Sequence, residues 1–284
     1  MRTKRLALAA AIALAAGSTF AAQQPPAAGQ PAAPQAPPTV RNIAPIDLTG
    51  YWVSVVTEDR RWRMLTPRKG DYASLPLNEE GRRAADSWDL ARDETSGLAC
   101  KPFGVGGVIR MPGRLHITWQ DDTTLKVEFD AGTQTRLLHF AGSPPDLGEK
   151  TWQGYSSATW EIAGQQVAVD RNGLPIAGGR GRGAAGRGAA PRGGSLRVVT
   201  TGFREGYLRK NGVPYSADAS IVEYFDRVGP EPNGDVILLV RTVVEDPKYL
   251  NQPFITSTNF KLEKDGSKWN PTPCKIDPPV EPGK

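Results

Sequence analysis

RLHITWQDDTTLKVEFDAGTQTRLLHF, residues 114–140, decides the fold. Three runs of alternating residues are separated by two polar turns, Asp121-Asp122-Thr123 and Asp130-Ala131-Gly132. In the first run Leu115, Ile117 and Trp119 share one face, and Arg114, His116, Thr118 and Gln120 the other. In the second, Leu125, Val127 and Phe129 alternate with Lys126, Glu128 and Asp130. In the third, Arg136, Leu138 and Phe140 alternate with Thr135, Leu137 and His139. A side-chain period of two places each set on one side of a pleated strand, so the stretch predicts an antiparallel meander with one apolar face. Both histidines of the chain, His116 and His139, fall inside it.

Further strands are predicted at 47–56, 153–163, 195–201, 219–227, 236–244 and 253–262. One helix is predicted from Asn78 to about Arg92. Asn78 can cap it, Glu79 and Glu80 favour its positive end, and Ala84, Trp88 and Ala91 form its apolar stripe. About nine strands, mostly joined as hairpins, amount to an all-β fold: an antiparallel, closed barrel of about 8–10 strands with one short helix after the first strand.

Three connections stand out. Residues 57–76 form a long polar segment carrying Trp62, Arg63, Arg68, Lys69 and Tyr72, and loops of that length are usually functional, often lids. Residues 104–113, GVGGVIRMPG, raise the possibility of a phosphate cradle, but no Gly-Lys-Ser/Thr follows and no helix opens after it. A loop and a short strand are expected there. Residues 206–216, GYLRKNGVPYS, are dense in hydrogen-bond donors.

The N-terminus has the layout of a Sec-type signal peptide: a basic start, an apolar stretch from Leu6 to Ala16 and a small-residue exit, with cleavage expected after Ala21. No cysteine lies at that junction, so a lipoprotein anchor is not expected, and no later apolar run is long enough for a membrane anchor. Residues 22–45 are rich in Ala, Pro and Gln and read as a disordered linker. The single folded domain is placed at 46–276, with a flexible Gly/Arg-rich insertion at 177–194 and a disordered tail at 277–284. In an oxidising, periplasmic or extracellular compartment the two cysteines, Cys100 and Cys274, are expected to form a disulfide.

The formal charge of +5 overstates how basic the folded part is. Arg2, Lys4 and Arg5 belong to the signal, and Arg180, Arg182, Arg187 and Arg192 to the insertion; removing these seven from +5 leaves −2. A near-neutral body does not call for a nucleic acid partner.

Gly50-Tyr51-Trp52 resembles the G-x-W that opens the first strand of lipocalins and other calycin barrels, where the Trp packs across the closed end. Further stretches, in order, are CKPFG at 100–104, residues 136–140, GYS at 154–156 with Trp160-Glu161, EYFDR at 223–227, EDP at 245–247 with Tyr249, and Pro253-Phe254. Together they resemble a widespread group of secreted bacterial proteins with a lipocalin-like barrel. The resemblance spans roughly 46–274 and implies fold and export. The group has no established chemistry, so no catalytic residue carries over.

The residues themselves offer three kinds of chemistry. His116 and His139 with Glu128 between them could hold a metal, but first and third strands lie about 9–10 Å apart, too far for ready sharing, and no metal site is assigned. A histidine with a carboxylate (Glu128, Glu223, Asp226 or Asp246) could act as an acid–base pair in a hydrolase or isomerase. No Gly-x-Ser-x-Gly elbow surrounds Ser156 or any other serine, and an oxidised Cys100 is no nucleophile. A barrel of this size can instead enclose a small, partly apolar or amphipathic molecule, without a cofactor. His116, Glu128, Arg136, His139, Tyr155, Tyr207 and Arg209 are the candidate polar contacts. Ligand binding is the leading expectation, an enzyme the second, and an envelope scaffold that uses the 57–76 loop and the insertion the third.

Overall fold

A computed structural model describes residues 39–142, 148–162 and 193–280. The signal segment and most of both the linker and the Gly/Arg-rich insertion lie outside these residues. Nine strands close into a barrel: β1 (Gly50–Val55), β2 (Arg114–Trp119), β3 (Thr124–Phe129), β4 (Gln134–His139), β5 (Tyr155–Ile162), β6 (Gly194–Thr201), β9 (Ser220–Val228), β10 (Ile237–Glu245) and β11 (Phe254–Glu263). Their order around the wall is β1-β11-β10-β9-β6-β5-β4-β3-β2, with β1 hydrogen-bonded to both β2 and β11. The missing pair, β7 (Gly206–Arg209) and β8 (Val213–Tyr215), forms a separate hairpin.

The meander is β2, β3 and β4, with the expected alternation: Leu115, Ile117, Leu125, Val127 and Leu138 are buried inside. One expectation fails. The barrel is mixed rather than wholly antiparallel, because β4 and β5 pair in parallel through Leu138–Ser156 and His139–Ser157. Parallel neighbours need a crossover of roughly a dozen residues or more. The chain between His139 and Tyr155 is long enough to supply one.

The predicted helix is also divided. α1 (Arg60–Met64) lies in the long polar connection, and the helix expected from Asn78 breaks into α2 (Glu79–Asp86) and α3 (Leu90–Thr95). Asn78 caps α2, its side chain accepting from the Gly81 N–H at 2.8 Å. Asp89 caps α3 in the same way, from the Arg92 N–H at 3.0 Å, and a cap there stops the first helix from running through. Val40 and Ala44, which composition assigns to the linker, pack against the barrel core. The disulfide Cys100–Cys274 is present, Cα atoms 5.0 Å apart, and ties the C-terminal segment to the strand-free region after α3.

Two apolar cores fill the fold. One occupies the barrel from Trp52 to Phe260 and includes Ile117, Trp160, Leu196 and Phe225. The Trp52 indole is fully buried and donates to the Leu48 carbonyl at 2.9 Å. The other lies where the hairpin covers the opposite end, with Phe203, Leu208, Val213 and Tyr215 on Ile221, Val244 and Phe254. Between them the inward positions turn polar at one level. Glu223 separates Ile221 from Phe225 on β9, Thr242 separates Val244 from Val240 on β10, and Thr200 follows Val198 on β6.

Residues 101–111 enter this capped end as buried 3-10 turns, Lys101–Phe103 and Val108–Arg110, rather than as the expected short strand. Val108 and Ile109 join the barrel core and Val105 the second core. The glycines permit this close approach: a Cβ on Gly107 would lie 2.3 Å from the Pro102 carbonyl oxygen and 2.6 Å from that of Tyr207.

Candidate functional site

The seven residues singled out in the sequence fall into four places. His116 and Glu128 are register partners on the outer face of β2 and β3, Nδ1 3.1 Å from Oε2, and Lys126 reaches the same oxygen at 3.0 Å. The His116 ring stacks on Tyr51 at 4.0 Å, with Trp269 edge-on at 6.0 Å. His139 stacks on Tyr155 at 4.6 Å between β4 and β5. Partial burial pulls the His139 pKa below its ordinary value and pushes that of Tyr155 up. Each histidine is thus held by its own aromatic partner. Among the described residues no group of three His, Cys, Asp or Glu side chains is placed to hold a metal.

Arg136 lies inside the barrel, where Glu223 meets it: Nη1 is 3.1 Å from Oε1, and Nη2 bonds Oε2 as well. Nη2 also reaches Thr200 Oγ1 at 3.1 Å and Ser156 Oγ at 3.3 Å, and these two hydroxyls bond each other at 2.8 Å. Both carboxylate oxygens of Glu223 are committed to the guanidinium, so this is a sealed, paired charge. Asp226, on the other face of β9, bonds Ser195 and Arg241 instead. Asp246 accepts from the Ser216 N–H and hydroxyl and holds the turn after β10.

Tyr207 and Arg209 sit on the covering hairpin. The Tyr207 hydroxyl donates to Asp93 Oδ2 at 2.7 Å, and burial beside that carboxylate drives its pKa far up. Arg209 faces a different environment. Its Nη1 donates to the Ala73 carbonyl at 2.9 Å, and its guanidinium lies over the Trp62 ring, 4.7 Å from the centroid. Here three separate stretches converge. α1 brings Trp62 and Arg63, the glycine-rich segment brings Arg110 and Met111, and β7 brings Leu208, Arg209 and the following Lys210. They line a cleft of about 20 Å³, room for one or a few water-sized groups.

The polar lining of this cleft has an unusual balance. Arg63 spends Nε on the Arg110 carbonyl at 2.9 Å and Nη1 on Glu58, and its Nη2 has no partner. Arg110 gives Nη2 to Asp59, and its Nη1 has no partner. Arg209 Nη2 is the third such group. All three side chains are more than nine-tenths buried. A buried, unpaired donor on a charged group costs on the order of 1–3 kcal/mol or more, so three around one cleft form a marked concentration.

The electrostatics agree. Burial lowers the pKa of Arg63, and Arg110 lowers it further. Burial and then the charge of Arg110 bring Arg209 down to about 10. Lys210, half-buried on the rim, is brought down by burial to about 8, with Asp277 opposing. Among the described residues its ammonium makes no hydrogen bond or ion pair. Four cations therefore line a cleft whose wall contains no carboxylate; Glu58 and Asp59 hold two of the guanidiniums without lining it.

Of the sequence candidates only Arg209 belongs to this cleft. Trp62 and Arg63 were visible in the long connection and Lys210 in the donor-rich turn, but Arg110 gave no signal of its own. Its neighbours read as a glycine loop. Comparison of the chain with family models, with curated proteins and with solved structures finds no match.

Proposed function

We propose that this chain is an exported, lipocalin-like barrel protein that binds a small amphipathic molecule, and that the ligand sits in the cleft at the capped end. The observation that carries the reading is the cleft itself, where three guanidinium groups, each with one nitrogen lacking a partner, share the lining with Trp62, Met111 and Leu208. Ligand sites combine apolar and aromatic walls with a few placed polar groups, which is this composition. The barrel axis is a poorer host. Apolar side chains fill it at both ends, and the polar level between them is held by the Arg136–Glu223 pair. Export is supported by the signal-like N-terminus and the Cys100–Cys274 bond, and no helix among the described residues is long and apolar enough to cross a membrane.

Native mass spectrometry of the protein from a periplasmic extract, set against its denatured mass, tests both parts. Cleavage after Ala21 is expected in the denatured spectrum. A small-molecule adduct is expected in the native spectrum, lost in Trp62→Ala and kept in His116→Ala and His139→Ala. An adduct that survives Trp62→Ala, or that depends on either histidine, would sink the cleft reading; an uncleaved N-terminus would sink export.

A further inference from the structure

We infer that the capped-end cleft is an oxyanion site: it takes the carboxylate or phosphate group of its ligand on the free Nη groups of Arg63, Arg110 and Arg209, with Lys210 as a fourth cation. This rests on the cleft being the ligand site and adds the chemical class that it selects. Each of the three guanidiniums is fixed by other bonds: Arg63 by the Arg110 carbonyl and Glu58, Arg110 by Asp59, Arg209 by the Ala73 carbonyl and the Trp62 face. Each keeps one buried nitrogen without a partner: Nη2 of Arg63, Nη1 of Arg110 and Nη2 of Arg209. Donors held in this way lose little freedom when an anion arrives, and hydrogen bonds from guanidinium to oxyanion are among the strong ones. A neutral ligand would leave the mutual repulsion of the cations in place. An anion relieves it and supplies the missing acceptors together.

The cleft's size sets the form of the ligand. About 20 Å³ holds no more than the oxygens of a head group, so the apolar part of the ligand must lie outside the cleft. Arg rather than Lys predominates at the inner wall, as suits planar or tetrahedral oxyanions. Lys210 gives the site a pH dependence. The groups facing it are Arg209 beside it, Arg63 and Arg110 across the cleft, and Asp277 on the C-terminal segment. Lys210 is the group whose charge changes as the pH rises through about 8.

Isothermal titration of the purified full chain with octanoate, octanamide and inorganic phosphate at low salt tests the assignment. Octanoate should bind at least roughly tenfold more tightly than octanamide, phosphate should compete with it, and Arg63→Gln or Arg209→Gln should weaken octanoate by roughly ten- to a hundredfold, the worth of one charge-assisted bond. Those arginines also hold the fold together, so Lys210→Gln serves as the second variant. It should keep the wild-type circular dichroism and abolish the fall in octanoate affinity that the wild type shows as pH rises through about 8. Octanoate and octanamide binding equally in the cleft would overturn the oxyanion assignment and leave the amphiphile reading intact. Failure of both to bind, or binding that Trp62→Ala and Lys210→Gln leave unchanged, would overturn both. Competition by phosphate as strong as by octanoate would identify the head group, and not the chain, as the part recognised.

Discussion

Arg136 on β4 and Glu223 on β9 meet across the inside of the barrel, Nη1 3.1 Å from Oε1, with side chains 1% and 0% exposed. A pair so deeply buried is held less by its net stability than by the cost of separating it. Each charge lost its water on folding and has only the other, Ser156 and Thr200 to replace it.

Removing one partner should therefore be far worse than removing both. Glu223→Gln and Arg136→Met should each lower the unfolding free energy by about 3–5 kcal/mol, whereas Arg136→Met with Glu223→Leu should recover most of the loss. Urea unfolding of the three variants decides this. Single-variant losses that simply add in the double variant would contradict it.

The Cys100–Cys274 bond closes a loop with a sequence separation of 174. In the chain-entropy model such a loop stabilises by about 4–5 kcal/mol. Replacing both cysteines with serine should lower stability by a figure of that order, chiefly by widening the unfolded ensemble. Denaturant midpoints with and without the bond, at an unchanged spectrum of the folded state, measure it.

Gly107 meets backbone, not flexible side chains. A methyl group there faces the Pro102 and Tyr207 carbonyl oxygens at 2.3 and 2.6 Å, so the glycine-rich segment must shift outward. Gly107→Ala should cost about 1–3 kcal/mol. It should also weaken any cleft ligand, because Arg110 moves with the segment. Thermal unfolding and octanoate titration of the same variant check the two effects, whereas Gly97→Ala, which no atom approaches within 4 Å, tests backbone strain without crowding.

Lys210 should leave a mark on stability as well as on binding. Its folded pKa of about 8 lies below the ordinary 10.5, so between those values the unfolded chain holds a proton that the folded chain has released. Stability then rises with pH across that window, and the contribution is complete above about 10.5. Lys210→Met should remove that part of the rise and be more stable than the wild type near pH 7. Unfolding curves from pH 7 to 10.5 provide the comparison; parallel slopes in the two proteins would show that the amine is solvated.

The sequence determined what is written in periodicity and composition. Alternation along residues 114–140 placed Leu115, Ile117 and Leu138 inside and His116, Glu128 and His139 outside, because a strand's side chains can only alternate. It put Arg136 on the inward face in the same way, and the even pair of cysteines led to the one disulfide. What it could not decide were relations between distant segments. The parallel β4–β5 pair depends on the path of a crossover, the helix break at Ser87–Asp89 on a second cap competing with a continuous stripe, and the partner of Arg136 on which strand, β9, stands across the barrel. The cleft is the clearest case. Trp62, Arg63, Arg110, Arg209 and Lys210 come from three segments with no shared pattern, and only closure of the barrel end by the hairpin brings them together. Pairwise charge and unmet hydrogen bonds are properties of distance and burial, and those exist only once the chain has folded.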